Sequence, residues 1–204
     1  MCTAPEGKSI FAWKTLKPEL LLCNEVIGKR IGMPISNLKP CQIKPSVATN
    51  VDSKILTEKI PPTAILVIVD APYTGQLILI KGDKAPGCFH HVTINSNAKR
   101  KKLANSAKIV ARPGYLAYMN CTYSTAENEQ VNEWLLSKFP EFEPVTVPPL
   151  ETFRSHLTEI PCYRMWPQDK LEAGSFTVLF QNTSDGERNQ LPADFRDLAH
   201  FTNL

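Results

Sequence analysis

Short apolar runs alternate along this chain with segments of helical period, the pattern of an α/β protein with strands joined through helices. Ile65 to Val69 is the strongest strand signal, being wholly apolar and β-branched in four of its five positions. Leu20 to Asn24, Ser46 to Asn50 and Tyr115 to Asn120 read as further strands, with Phe142 to Val147 and Phe176 to Phe180 completing the set. Tyr163 to Trp166 is a short strand expected to pair with one of the last two. Helices are expected over Lys8 to Leu16, Val26 to Asn37 with Pro34 working against its second half, Ser53 to Lys59, and Asn95 to Val110. The last of these is expected to break at Arg112-Pro-Gly114. Ser124-Thr-Ala-Glu127 has the spacing of a capping box ahead of a helix over Asn128 to Phe139. Val131, Trp134, Leu135 and Phe139 share one face of that helix and should pack on the sheet.

Two of the strands end on reactive groups. Ile65 to Val69 leads into Asp70, and Tyr115 to Asn120 leads into Cys121. In an open α/β sheet the carboxyl ends of strands are where ligands bind. A thiolate is the most effective side-chain nucleophile near neutral pH, and an acid beside it can hydrogen-bond to the substrate. The connection over residues 71–93 is long and holds Gly75, Gly82, Pro86 and Gly87, as functional loops often do. The tail from Gln181 onward is mostly polar and reads as a loosely attached extension with a short helix near Ala193 to His200.

Composition narrows the class without choosing a function. The chain has 204 residues, 43% hydrophobic and 21% charged, which suits one globular domain. A net charge of +3 permits a nucleic-acid partner but does not demand one. No apolar stretch approaches the roughly 18 residues of a membrane span, and the N-terminus lacks a signal-peptide pattern. The six cysteines (Cys2, Cys23, Cys41, Cys88, Cys121 and Cys162) have neither disulfide-framework nor metal-site spacing. Mostly buried free thiols in a reducing cytoplasm are expected, with no metal. For any single cysteine, Cys121 included, a small core residue is the default reading.

The remaining chemistry gathers around a donor-type site. Cys2-Thr-Ala-Pro-Glu-Gly-Lys8 is a turn that opens directly into a helix, a place suited to a carboxylate or phosphate. Glu25 follows the Leu20 to Asn24 strand, where such folds place an acid on ribose hydroxyls, although a solvated carboxylate at a helix start is an equal reading.

On these segments the chain resembles the RsmB/Sun (Fmu) family of S-adenosylmethionine-dependent RNA (cytosine-5) methyltransferases. Cys2, Thr3, Ala4, Pro5, Glu6, Gly7 and Lys8 look like the family's C-A-A-P-G-G-K donor loop. Asp52 looks like the acid beside the donor adenine, and Asp70-Ala-Pro-Tyr-Thr-Gly75 like D-A-P-C-S-G. Asn120-Cys-Thr-Tyr-Ser-Thr-Ala-Glu-Asn-Glu129 is similar to the T-C-S/T-x-x-P-x-E-N-E segment that carries the nucleophile. Tyr163-Arg-Met-Trp-Pro and Glu172-Ala-Gly-Ser-Phe176 resemble the closing R-x-x-P and G-F-F elements.

The resemblance implies a Rossmann-like class I methyltransferase fold with a mostly parallel sheet and helices on both faces. It implies a catalytic domain over residues 1–181 and a polar extension over 182–204. Cys121 would be the nucleophile and Asp70 the partner of the ring nitrogen. Cys2 to Lys8, Glu25, Asp52 and Asp70 would bind S-adenosylmethionine. The partner would be RNA, with rRNA first among candidates, and the protein a cytoplasmic monomer.

Three departures from the family pattern qualify this. Tyr73 replaces a second cysteine thought to help release product, so methyl transfer should survive while elimination slows. Glu6 replaces a glycine, which should weaken donor binding. The sequence also starts inside the donor loop, without the central strand expected between Leu20 to Asn24 and Ile65 to Val69, as in a truncated copy or one with a misplaced start. A non-catalytic relative that keeps the fold and RNA binding is therefore the alternative. Lys99-Arg-Lys-Lys102 reads first as a solvated helix face and second as a phosphate track. Arg164, Trp166 and Phe176 could hold RNA, with core packing an equal reading for the aromatics, and His90-His91 reads as ordinary loop.

Overall fold

The computed structural model of the chain describes residues 7–71, 92–169, 174–192 and 201–203. The expectations for residues 72–91 and for a helix near Ala193 to His200 lie outside them, as do Cys2, Thr3, Ala4, Pro5 and Glu6. The chain forms two compact units, one of residues 1–61 with 190–204 and one of residues 62–189.

In the first unit, α1 (Gly7–Leu16) precedes β1 (Leu21–Asn24), α2 (Gly32–Leu38), β2 (Ser46–Thr49) and α3 (Ser53–Lys59). β1 and β2 are parallel, with Leu21 opposite Ser46 and Asn24 opposite Thr49. The polar tail contributes β8 (Phe201–Asn203), which runs antiparallel along the other side of β2. A small core of Cys23, Leu38 and Ile43 packs against Ile10, Trp13 and Leu21. The helix expected over Val26 to Asn37 divides into a 3-10 turn at Gly28–Arg30 and α2. Pro34 then falls in the first turn of α2, where its missing N–H costs little.

The second unit is built on β3 (Ala64–Asp70), α4 (Val92–Ala107), β4 (Val110–Asn120) and α5 (Glu129–Lys138), followed by β5 (Phe142–Pro144), β6 (Tyr163–Met165) and β7 (Ser175–Asn182). β3 and β4 pair in parallel, whereas β7 runs antiparallel to β4, β5 and β6, giving the order β3-β4-β7-β5 with β6 on β7. Val67, Val69, Leu116, Tyr118, Phe176, Val178 and Phe180 from the sheet meet Leu103, Val131 and Leu135 from the helices in one buried core.

Two expectations change here. The helix ahead of β4 stops at Ala107 rather than Val110, and the Arg112-Pro-Gly114 break lies inside the strand. Between Ala64↔Val110 and Leu66↔Tyr115, β3 advances two residues while β4 advances five, so the extra residues form a bulge. A Cβ on Gly114 would lie 2.8 Å from the Ala111 carbonyl oxygen and 2.9 Å from Val110 Cγ1, so only glycine fits where the chain doubles back. β3, despite its wholly apolar run, buries only Val67 and Val69, and Ile65 is 49% exposed. Within its sheet β3 pairs on one side only, and β1 belongs to a different sheet, so the two strands expected to flank a missing one are not paired with each other.

Candidate functional site

Two sets of candidate residues are each assembled by strand ends. In the first unit, Glu25 and Asp52 follow the adjacent parallel strands β1 and β2. Asn24 ties those ends together, its Nδ2 donating to Val51 O (3.1 Å) while its Oδ1 accepts from Thr49 Oγ1 (2.7 Å) and the Val51 N–H (3.3 Å). Glu25 N–H donates to Thr49 O (3.0 Å), and the Asn50 side chain donates to Glu25 O. The buried Glu25 carboxylate accepts from the Ile27 N–H at 2.9 Å. Asp52 caps α3 by accepting from the Lys54 N–H at 2.8 Å. Each carboxylate offers about four acceptor positions, so one backbone donor leaves capacity for ligand hydroxyls or an amine. Gly7 and Lys8 open α1. A concavity of about 510 Å³ in this unit is lined by Trp13, Lys14, Lys17, Pro18, Glu19, Cys41, Lys44 and Pro45, none of which belongs to the candidate set.

In the second unit, Asp70 ends β3 opposite Met119 of β4, and the Ala71 N–H donates to Met119 O (3.0 Å). Cys121 follows β4 directly, two residues beyond Asp70's partner. The sheet therefore brings Asp70 and Cys121 to the same carboxyl edge on neighbouring parallel strands. Cys121 is half-buried, while Cys23 and Cys162 are buried and Cys41 is exposed.

The loop after Cys121 is held mainly by its own polar groups. Asn120 Oδ1 accepts from the Thr122 N–H (3.1 Å), Asn128 Nδ2 donates to Thr122 O (2.9 Å), and Tyr118 Oη donates to Glu127 O (2.6 Å). Burial raises the Tyr118 hydroxyl well above the usual phenol range and keeps it a donor. The capping-box expectation fails. Asn128, without a side-chain cap bond, is the N-cap of α5, and the buried Glu127 turns instead to Lys99 Nζ at 2.7 Å. This also corrects the solvated-face reading of Lys99, which is 1% exposed. The basic run spirals around α4, so that Arg100 lies over the Trp134 ring and Lys101 faces solvent. The buried cation could not be read from a run of four basic residues, because only the fold shows which of them points inward.

Arg164 is internal as well. Its Nε and Nη2 donate to the two oxygens of the buried Glu129 at 2.6 Å each, and Nη1 donates to Tyr123 O at 3.2 Å. Ser155 Oγ donates to Glu129 Oε1 (2.8 Å), and the guanidinium lies over Trp166 and Phe176 at 5.6 and 5.5 Å. Tyr123 stacks on Trp166 with centroids 5.0 Å apart and planes 16° apart. Thus β6 and α5 brace the Cys121 loop from behind. Gly174, at φ +85°, allows the entry into β7, since a Cβ there would lie 2.5 Å from Met165 O.

Burial pushes the Cys162 thiol up to about 12. At about pH 8, close to an ordinary thiol's pKa, iodoacetamide should label Cys121 and Cys41 and spare Cys162 until the chain is unfolded, as peptide mass spectrometry would show. Rapid native labelling of Cys162 would contradict its place in the core.

Among the described residues, no group of three or more His, Cys, Asp or Glu side chains could hold a metal, and no helix is long and apolar enough to cross a membrane. Parallel strands with a carboxylate and a thiol at their shared carboxyl edge, and acids after two further parallel strands, define a Rossmann-like α/β protein with a ligand edge. The 16S rRNA methyltransferase RsmB/F family profile matches residues 1–181, and the chain belongs to that family. The chain is 32% identical over 134 residues to the ribosomal RNA small subunit methyltransferase F of Erwinia tasmaniensis, covering 65% of this chain and 28% of that protein. It is 27% identical over 187 residues to the protein of the same name from Psychromonas ingrahamii, covering 88% of this chain and 38% of the other. The chain thus spans between a quarter and two-fifths of the length of these curated relatives. The crystal structure of NSun6 from Pyrococcus horikoshii with SFG superposes with a TM-score of 0.73 at 20% identity, over 91% of this chain and 47% of that one.

Proposed function

We propose that the protein transfers a methyl group from S-adenosylmethionine to carbon 5 of a cytosine in RNA, with rRNA as the substrate class, through a covalent bond to Cys121. The observation that carries this reading is the placement of Cys121 and Asp70 at the carboxyl ends of adjacent parallel strands, in a chain of the RsmB/F family. Residues 1–181 would be the catalytic domain and 182–204 an extension, in a monomer of the cytoplasm.

S-Adenosylmethionine supplies an electrophilic methyl group. Gly7, Lys8, Glu25 and Asp52 are the described residues suited to hold it, Glu25 toward ribose hydroxyls and Asp52 toward the adenine, with Cys2 to Glu6 completing the loop. The fold neighbour's SFG, a donor analogue, agrees with this assignment. Cys121 supplies the thiolate that bonds to carbon 6 of an unpaired or flipped-out cytosine and makes carbon 5 nucleophilic. Asp70 holds its carboxyl at the ring nitrogen, where charge develops on addition. After methylation, loss of the carbon 5 proton and breakage of the carbon–sulfur bond return a neutral ring and a thiolate. Tyr73 stands at the position of the family's second cysteine, so this release is slow.

Incubating the chain with methyl-labelled S-adenosylmethionine and a 16S rRNA transcript should place label in 5-methylcytosine after nuclease digestion. It should also leave a denaturation-resistant RNA adduct on the Cys121 peptide. Label on another base atom, or turnover with no persistent adduct, would refute the corresponding part of the reading. Absence of both donor binding and methyl transfer would make the chain a non-catalytic relative.

A further inference from the structure

Lys99 is the unexpected charge in this molecule. It lies in the middle of α4, with Ser96 one turn before it and Leu103 one turn after it, both buried. Its ammonium meets Glu127 Oε2 at 2.7 Å, and the two side chains are 2% and 0% exposed. Glu127 is not a general-purpose partner. It sits six residues after Cys121 in the same loop, and its carbonyl oxygen accepts from Tyr118 Oη, which in turn accepts from Asn120 Nδ2 (3.1 Å). The residues before and after Cys121 are therefore fixed to the carboxylate that grips Lys99. A buried ion pair is expensive to desolvate, and stability alone is a weak reason for one.

We propose that Lys99 is a positioning residue for the nucleophile: clamped by Glu127, its buried ammonium holds the neighbouring Cys121 toward the thiolate form.

The charges acting on Lys99 fit that role. Burial lowers its pKa, Glu127 raises it by charge and hydrogen bond, Cys121 raises it as well, and Lys102 opposes them weakly. Coupling between two ionisable groups is reciprocal, so a thiolate that favours the ammonium is favoured by it to the same degree. Tyr123 also responds to the charge on Cys121, which raises its pKa after the larger effect of burial. The thiolate is consumed when carbon–sulfur bonding begins and restored when that bond breaks. A fixed cation thus favours both the start of addition and the departure of the thiolate. A histidine or a surface lysine would change protonation or hydration during the cycle, whereas a clamped, buried ammonium keeps its place.

This inference rests on Cys121 being the nucleophile, but its test needs neither RNA nor donor. The rate of Cys121 alkylation by iodoacetamide would be followed by peptide mass spectrometry across roughly pH 5 to 9, a span covering ordinary and depressed thiols. In the full chain, Lys99→Met should shift the profile to higher pH and slow alkylation at neutral pH by roughly three- to tenfold. Lys99→Arg should largely preserve it. Glu127→Gln should move it the opposite way, because the thiolate then faces an unneutralised cation. A merely structural pair would not give opposite signs. Cys162 labelling serves as the internal control for opening of the fold. If Lys99→Met opens it, the Lys99→Met, Glu127→Gln double variant, which leaves no lone buried charge, is compared with Glu127→Gln alone and should be the slower of the two. An unchanged profile in a folded Lys99→Met or double variant overturns the inference. If alkylation responds as expected but no 5-methylcytosine forms, the proposed function fails while the coupling stands. If 5-methylcytosine forms and alkylation is insensitive to Lys99, only the coupling fails.

Discussion

Replacing Cys121 with alanine should abolish the covalent RNA adduct and lower methyl transfer by about 10³-fold or more, with the fold intact. The size of the effect follows from the chemistry. Carbon 5 of cytosine is a poor nucleophile until a group adds at carbon 6, and water at that position is far weaker than a thiolate. The other thiols of the described core cannot substitute, since Cys23 and Cys162 are buried. The fold should tolerate the change because Cys121 is half-buried and lies just beyond the end of β4, so truncation leaves no sealed cavity. Transfer of labelled methyl into 16S rRNA, compared at matched circular dichroism, checks this. Retention of more than about one-tenth of the activity would remove Cys121 from the mechanism.

The second large effect is on stability. Arg164→Met should destabilise the second unit by about 3–5 kcal/mol, because it leaves Glu129 buried without the guanidinium that takes both of its oxygens. The Arg164→Met, Glu129→Gln double variant should lose less than the sum of the single changes, since the isolated charge is gone. Urea unfolding followed by circular dichroism measures both. A loss under about 1 kcal/mol for Arg164→Met would place that pair among exposed ion pairs, at odds with side chains 5% and 3% exposed. Arg164 also donates to Tyr123 O, so the same variant should loosen the loop carrying Cys121 and reduce methyl transfer even where it stays folded.

The β-branched and apolar runs made the strands legible. Ser53 to Lys59, Ile65 to Val69 and Phe176 to Phe180 all lie in the elements expected of them. Asp70 and Cys121 were legible for the same reason, since each follows such a run. Local rules failed where tertiary partners outbid them. Arg112-Pro-Gly114 reads as a break, yet pairing with β3 and β7 carries β4 through it as a bulge. Ser124 to Glu127 has capping spacing, but Glu127 finds a buried cation instead of a backbone donor. Lys99 looks like three basic neighbours, and Arg164 looks like a candidate for RNA, because charge in a sequence carries no direction. Both turn inward to acids of the Glu127-Asn-Glu129 segment, twenty-eight and thirty-five residues away.

The Tyr123–Trp166 stack has a practical consequence for watching this chemistry. Trp166 is one of three tryptophans, and its indole lies flat against a phenol two residues from the reactive sulfur. Any bond made at Cys121 changes the charge beside that pair. The protein therefore carries its own optical reporter, and the formation and decay of an adduct can be timed from intrinsic emission without a label on either the protein or the RNA.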